Sequence, residues 1–186
     1  MSNERGEDPP EPMFSHPTGF EDLVGEEDFE PPSADPAIQR EYESALGAFI
    51  VAFNTVDNQV AKVLRYALAV LDRAKLANLP SNFAARVDLL DLIGATKVLA
   101  LHTIDYEELR KIGRQRNFLA HGYFDQNPFD GSYTVVDRKR EEHVRADVVR
   151  QWATRAQDAW SRLRGPEAAW VFRGVTVPEI PDEAKA

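Results

Sequence analysis

Arg110-Lys-Ile-Gly-Arg-Gln-Arg-Asn-Phe-Leu-Ala-His-Gly122 is the stretch around which the chain can be read. Ile112 and Leu119, with Leu109 just ahead of them, are core positions of an amphipathic helix, and four basic residues, Asn117 and His121 lie among the rest. Helical phase puts Asn117 and His121 one turn apart on one face, with Arg114 on that side a further turn back. Arg116 precedes His121 by five residues, so on a straight helix it points about 140° away. The helix end therefore offers two functional faces, or its last turn unwinds. Gly122 is expected at C′ in the left-handed region, stopping the helix with His121 in its final turn.

Upstream, Asp105 with Glu108 has the form of a capping box, so this helix spans about 105–121. A helix over about 82–94 precedes it, with Phe83, Val87, Leu90 and Ile93 inward and Gly94 at its end; residues 95–102 connect the two. Before that, Asp35-Pro36 supplies an N-cap and an N1 proline for a long helix reaching about Ala74. Its apolar residues, from Leu46 and Phe49 through Phe53, Val56 and Val60 to Leu64 and Leu68, recur at spacings of three and four. Gly47 is a candidate break. Asp57 falls within the phase of that apolar stripe, with Asn54 and Asn58 nearby. It reads either as a solvated edge or as a polar notch supporting a site on a neighbouring helix.

Downstream, Tyr123-Phe124 and Ser132-Tyr-Thr-Val-Val136 have strand composition, separated by Asn127-Pro128 and Asp130-Gly131 turn chemistry. A small β-hairpin or ordered loop beside His121 is expected, followed by the basic cluster Arg138-Lys-Arg140. A last helix spans about 146–164, stopped by Gly165-Pro166, and residues 168–178 add a strand or a strap. The fold expectation is all-α: a mostly antiparallel, up-down four-helix bundle with a small β-hairpin after the third helix.

The net charge of −9 is not evenly spread. Residues 1–35 hold eleven acids and one base, Arg5, whereas the rest of the chain holds 20 acids and 21 bases. Residues 1–34 read as a disordered acidic tail, residues 35–178 as the helical domain and residues 179–186 as a frayed end. The tail is a solvating segment, or else Phe20, Leu23, Val24 and Phe29 among its acids form a docking segment for a protein inhibitor or other partner, or mask a basic surface. The near-neutral body leaves a polyanionic partner open. There are no cysteines, which excludes disulfides and thiolate metal sites and points to the cytoplasm. No apolar run has the length of a membrane span, and the first residues are unlike a signal peptide. No histidine pair has ligand spacing on one helix, and His16, His102 and His143 read as tail or surface residues, so neither a metal nor a cofactor is expected.

Arg116-Asn117-Phe-Leu-Ala120-His121 resembles the signature of the HEPN superfamily, an arginine and a polar residue followed four to six positions later by a histidine. The similarity covers about residues 40–165. It implies a helical bundle and a metal-independent endoribonuclease, of toxin or defence type, in which Arg116, Asn117 and His121 are catalytic. Arg110, Lys111, Arg114, Arg138, Lys139 and Arg140 would attract the phosphates of single-stranded RNA, and Tyr123 or Phe124 would stack on a base. It also implies a homodimer formed through the motif helix. A second likeness is to the mannitol operon repressor family, carried by Asn82-Phe-Ala-Ala-Arg-Val-Asp-Leu-Leu90, Leu109-Arg-Lys-Ile112 and the same Arg-Asn-x-x-Ala-His. It implies a related fold with a regulatory rather than catalytic role, so enzyme and binding module both stand as readings of the sequence.

Overall fold

The computed structural model describes residues 34–73, 79–96 and 101–176. The chain divides into Met1–Pro32 and Ser33–Ala186, and the described residues all belong to the second unit. The acidic tail, the frayed end and part of the 95–102 connection lie outside the described residues. Four helices and three strands occur among those described: α1 (Pro36–Val70), α2 (Phe83–Gly94), α3 (Tyr106–His121), β1 (Tyr123–Gln126), β2 (Tyr133–Val136), β3 (Glu141–Val144) and α4 (Ala146–Phe172).

Helix α1 starts as its sequence dictates. The Asp35 carboxylate accepts from the Ala37 N–H at 2.8 Å, and Pro36 occupies the first turn, where its missing N–H does no harm. Gly47 does not break it. One glycine costs about 1 kcal/mol relative to alanine, and the buried stripe of Tyr42, Phe49, Phe53, Val56, Val60 and Leu64 runs past it on both sides. The helix ends at Val70, one turn before the expected 74. There Asp72 takes a left-handed φ of 54°, Arg73 N–H donates to Leu68 C=O at 2.8 Å and Asp72 N–H to Ala69 C=O at 3.0 Å. That is a Schellman ending with aspartate in the usual glycine position.

The expected up-down alternation is not the arrangement adopted. Glu41 pairs with Arg150, Gln59 donates to Glu167 at 2.5 Å, and the Tyr66 and Trp170 rings lie 6.1 Å apart. Numbers rise together along both helices, so α1 and α4 run parallel. The odd step is the first connection. Phe83, at the start of α2, packs on Phe53, halfway along α1, with ring centroids 5.0 Å apart. The start of α2 therefore lies about 25 Å back along α1 from its end at Val70, a separation that twelve intervening residues can span at about 3.3 Å each. Helix α3 then runs against α2: Phe83 lies against Gly113, Asp91 bonds Arg110 and Gly94 lies against Tyr106.

Helix α4 does not stop at Gly165-Pro166. It continues to Phe172 with Pro166 inside it and buried. An internal proline costs about 3 kcal/mol. The extra turns bury Trp170, only 3% exposed, and bring Glu167 to Gln59 and Lys62. Loss of such a buried tryptophan costs about 3–5 kcal/mol, so tertiary burial outweighs the local stop signal.

The expected hairpin is a three-stranded antiparallel sheet in the order β1-β2-β3. Tyr123 faces Val136 and Gln126 faces Tyr133 in the first pair; Tyr133 faces Val144 and Val136 faces Glu141 in the second. The Asn127–Ser132 turn closes as its residues foretell, with Asn127 and Asp130 carboxamide and carboxylate oxygens accepting from Phe129 and Ser132 N–H and Gly131 at φ 72°. Tyr42 of α1 stacks on Tyr133 at 4.4 Å and meets Phe124 edge-on at 5.9 Å, which fixes the sheet at the N-terminal end of α1.

Candidate functional site

Helix α3 is positioned by both of its ends. The Asp105 carboxylate caps it by accepting from Glu108 N–H at 2.9 Å, while the Glu108 side chain turns away to a two-bond pair with Arg155 of α4 at 2.6 and 2.7 Å. The capping box is thus only half formed. At the other end Gly122 is not left-handed: its φ is −69° and ψ 150°, so the chain passes directly into β1. Glycine is required there for closeness instead. A Cβ at Gly122 would lie 2.4 Å from a Val135 methyl and 2.7 Å from the Phe118 carbonyl oxygen. The site histidine is therefore clamped between the end of α3 and the sheet.

The two functional faces expected of this helix end converge. The Arg116 side chain folds back along the helix, and its Nη1 lies 3.5 Å from His121 Nε2 and donates to Asn117 Oδ1 at 3.2 Å. Its guanidinium also lies 5.4 Å from the centre of the Phe53 ring of α1, a cation–π distance. The length of an arginine side chain overcomes the angular offset that separates the two Cα positions. Arg116 Nε is buried without a hydrogen-bond partner among the described residues. Asn117 and His121 are exposed. One helix end of a single chain thus assembles an arginine, an asparagine and a histidine at the surface, with no unwinding of the last turn.

The other expected contributors separate into free and engaged groups. Lys111 and Arg114 are exposed on α3, and Arg138 and Lys139 are exposed in the β2–β3 turn; none of the four side chains has a partner among the described residues. The sheet register places that turn at the Tyr123 end of β1, next to His121. Arg110 is engaged by Asp88, Asp91 and Glu107 at 2.7–3.0 Å. Its hydrogen bonds to Asp91 and Asp88 push its pKa further up, so the charge is permanent but largely neutralised where it sits. Arg140 is also engaged: it pairs with Glu142, donates to Gln115 at 3.2 Å and lies 4.0 Å over the Phe118 ring. It ties the sheet to α3. Tyr123 is 72% exposed and free to stack, whereas Phe124 is packed on Tyr42.

Asp57, whose place in the apolar stripe leaves both a solvated edge and a polar notch open, is half-buried. Its Oδ1 accepts from Arg86 Nη2 of α2 at 2.5 Å, and both residues line an open groove of about 560 Å³ between α1, α2 and α3 that also reaches Arg114, Arg116 and Asn117. Phe53 and Arg86 are site residues that sequence reasoning does not single out. Phe53 looks like any other core position of α1, and Arg86 meets Asp57 across 29 residues of chain. Only the lone acid in an apolar stripe signals that pairing. Among the described residues no cluster of three or more histidine, aspartate or glutamate side chains is arranged to hold a metal ion. No family model, curated protein or solved structure matches this chain.

Proposed function

We propose that this protein is a metal-independent, HEPN-like endoribonuclease of toxin or defence type that cleaves single-stranded RNA in the cytoplasm. The observation that carries this reading is the approach of Arg116 to His121, at 3.5 Å, on an exposed helix end flanked by unpaired cations. The chemistry suits those side chains. His121 takes the proton of a ribose 2′-hydroxyl. The freed oxygen attacks the adjacent phosphorus, and the bond to the 5′-oxygen breaks; that oxygen leaves with a proton from the imidazolium or from water. Arg116, always charged and forked, stabilises the charge that builds on the equatorial phosphate oxygens. Asn117 holds the guanidinium in place through its Oδ1. Lys111, Arg114, Arg138 and Lys139 draw the backbone in, and Tyr123 offers a stacking surface. A homodimer through α3 would set two such sites side by side.

The reading rests on the site and not on the fold, because the parallel run of α1 and α4 departs from the up-down bundle that the resemblance implies. The test is the substrate's own hydroxyl. The protein should cleave an RNA oligonucleotide and leave 2′,3′-cyclic phosphate and 5′-hydroxyl ends, while the same sequence as DNA stays intact. Cleavage of both, or products with 3′-hydroxyl ends, would contradict the mechanism.

The seating of Arg116 on Phe53 favours a second reading, a non-catalytic binding or regulatory module similar to the mannitol operon repressor group. There the guanidinium would serve chiefly to join α1 to α3. His121→Ala would then lower stability modestly and leave ligand capture unchanged.

A further inference from the structure

The groove beside the motif has features that a ribonuclease site does not need for the chemical step. Of the four arginines that line it, Arg86 is paired with Asp57 and Arg110 with Asp88, which leaves Arg114 and Arg116 to attract an anion. Its floor is aromatic. The Phe83 ring lies against the backbone of α3 at Gly113, where an added Cβ would come within 2.8 Å of the ring, and it meets Phe53 edge-on. One wall carries a carboxylate that is fixed but not saturated: Arg86 holds Asp57 Oδ1, the Asp57 side chain remains 28% exposed, and Oδ2 has no partner among the described residues. Two amide side chains line the groove as well. Asn54 is unpaired among the described residues, and Asn82 spends only its oxygen, accepting from Ala85 N–H at 2.8 Å, which leaves its amino group free. Arg114 is exposed at the rim, on the same stripe of α3 as Asn117 and His121.

We propose that this groove is a subsite for one nucleotide of the bound RNA and that it selects guanine. The base lies on Phe83 and presents its edge to Asp57. Guanine alone among the four bases carries two adjacent N–H donors, N1–H and the 2-amino group, which a carboxylate accepts together. Its O6 and N7 acceptors suit the amide donors of Asn54 and Asn82. Arg114 takes the nucleotide's phosphate. Arg86 is a positioning residue that keeps Asp57 turned to the groove through its hydrogen bond to Oδ1. The volume of about 560 Å³ lies in the range of small-ligand sites. This inference builds on the ribonuclease reading but is tested by binding, apart from any cleavage.

The experiment titrates guanosine, adenosine, cytidine and uridine 5′-monophosphates into the full-length protein and into Asp57→Asn and Arg114→Ala variants, following amide chemical shifts. The spectra also report whether each variant is folded. Wild type should bind the guanosine monophosphate about 5- to 150-fold more tightly than the other three, the discrimination expected of one bidentate base contact. Asp57→Asn should remove that preference. Arg114→Ala, a change at an exposed position, should weaken all four and keep the preference. Equal binding of the four, no binding of any at millimolar concentration, or a guanine preference that survives in Asp57→Asn would each overturn the proposal. Guanine binding with this pattern in a protein that cuts no RNA would uphold the subsite and reject the nuclease.

Discussion

Two residues at the end of α3 show how little space the site leaves. Arg116 reaches His121 only because its side chain is long enough to turn the corner that separates their Cα positions. Arg116→Lys keeps the charge but not the planar guanidinium that lies over Phe53 while its Nη1 meets His121 and Asn117, so it should behave more like a loss than a conservative change. Gly122 holds His121 in place by having no side chain. A methyl group there meets a Val135 methyl and, less forgivingly, the Phe118 carbonyl. Gly122→Ala should therefore destabilise the protein by about 1–3 kcal/mol, as overpacking does, and should do so without any φ penalty, because φ is already −69°. Chemical denaturation measures the first effect; an unchanged midpoint would mean that the sheet does not clamp α3.

At the level of elements, α4 past Pro166 is the clearest case of packing overriding a local signal. Trp170→Ala should cost about 3–5 kcal/mol and should unwind the turns beyond Pro166, visible as lost helical circular dichroism. Glu167 adds a pH dependence. Burial on its own would raise the Glu167 pKa, but hydrogen bonds from Lys62 and Gln59 outweigh it and leave the pKa lowered. A carboxylate lowered in the folded state contributes stability above its ordinary pKa near 4.5, and that contribution is lost as pH falls through the lowered value. Thermal melts of Glu167→Gln should accordingly lose less stability than wild type on acidification from about pH 5 to pH 3; parallel pH profiles would show that the pair contributes nothing.

The same level shows what the sequence discloses. The starts of α1 and α3 are legible in Asp35 and Asp105, each of which caps its helix as its type predicts; the cap of α2 is Asn82, the first residue of the stretch expected as helix. The first two strands are legible in their β-branched and aromatic residues. Strand β3 is not, because Glu141, Glu142 and His143 carry no apolar alternation; the strand exists through pairing with β2. Neither is the parallel run of α1 and α4, since helical period says which face is buried and nothing of direction. For the site, the stripe Arg114, Asn117 and His121 is legible from phase alone, while Arg116's return to it depends on side-chain reach.

For the whole molecule, electrostatics makes the proposed RNA partner testable. No helix among the described residues is long and apolar enough to cross a membrane. The excess acid lies in residues 1–35, so the remaining body is close to neutral; among its exposed cations without a partner in the described residues, Lys111, Arg114, Arg138 and Lys139 lie on α3 and in the β2–β3 turn, Arg40 and Arg162 lie on α1 and α4, and Arg173 lies at the C-cap of α4. Replacing Lys111, Arg114, Arg138 and Lys139 together by alanine should reduce the slope of log affinity for single-stranded RNA against log salt by about 3, from about 0.7 per phosphate contact. Deleting residues 1–34 should raise RNA affinity at low salt, because it removes most of the negative field; an unchanged affinity would show that the tail does not act on the RNA site.

The most direct measurement incubates mixed RNA in EDTA with wild type and with folded His121→Ala and Arg116→Ala variants. Wild type should cleave, with losses of about 10²–10⁴ for His121→Ala and about 10²–10³ for Arg116→Ala. Folded wild type that leaves the RNA intact, or variants that cut as fast as wild type, would contradict the assignment of Arg116 and His121 as the catalytic pair.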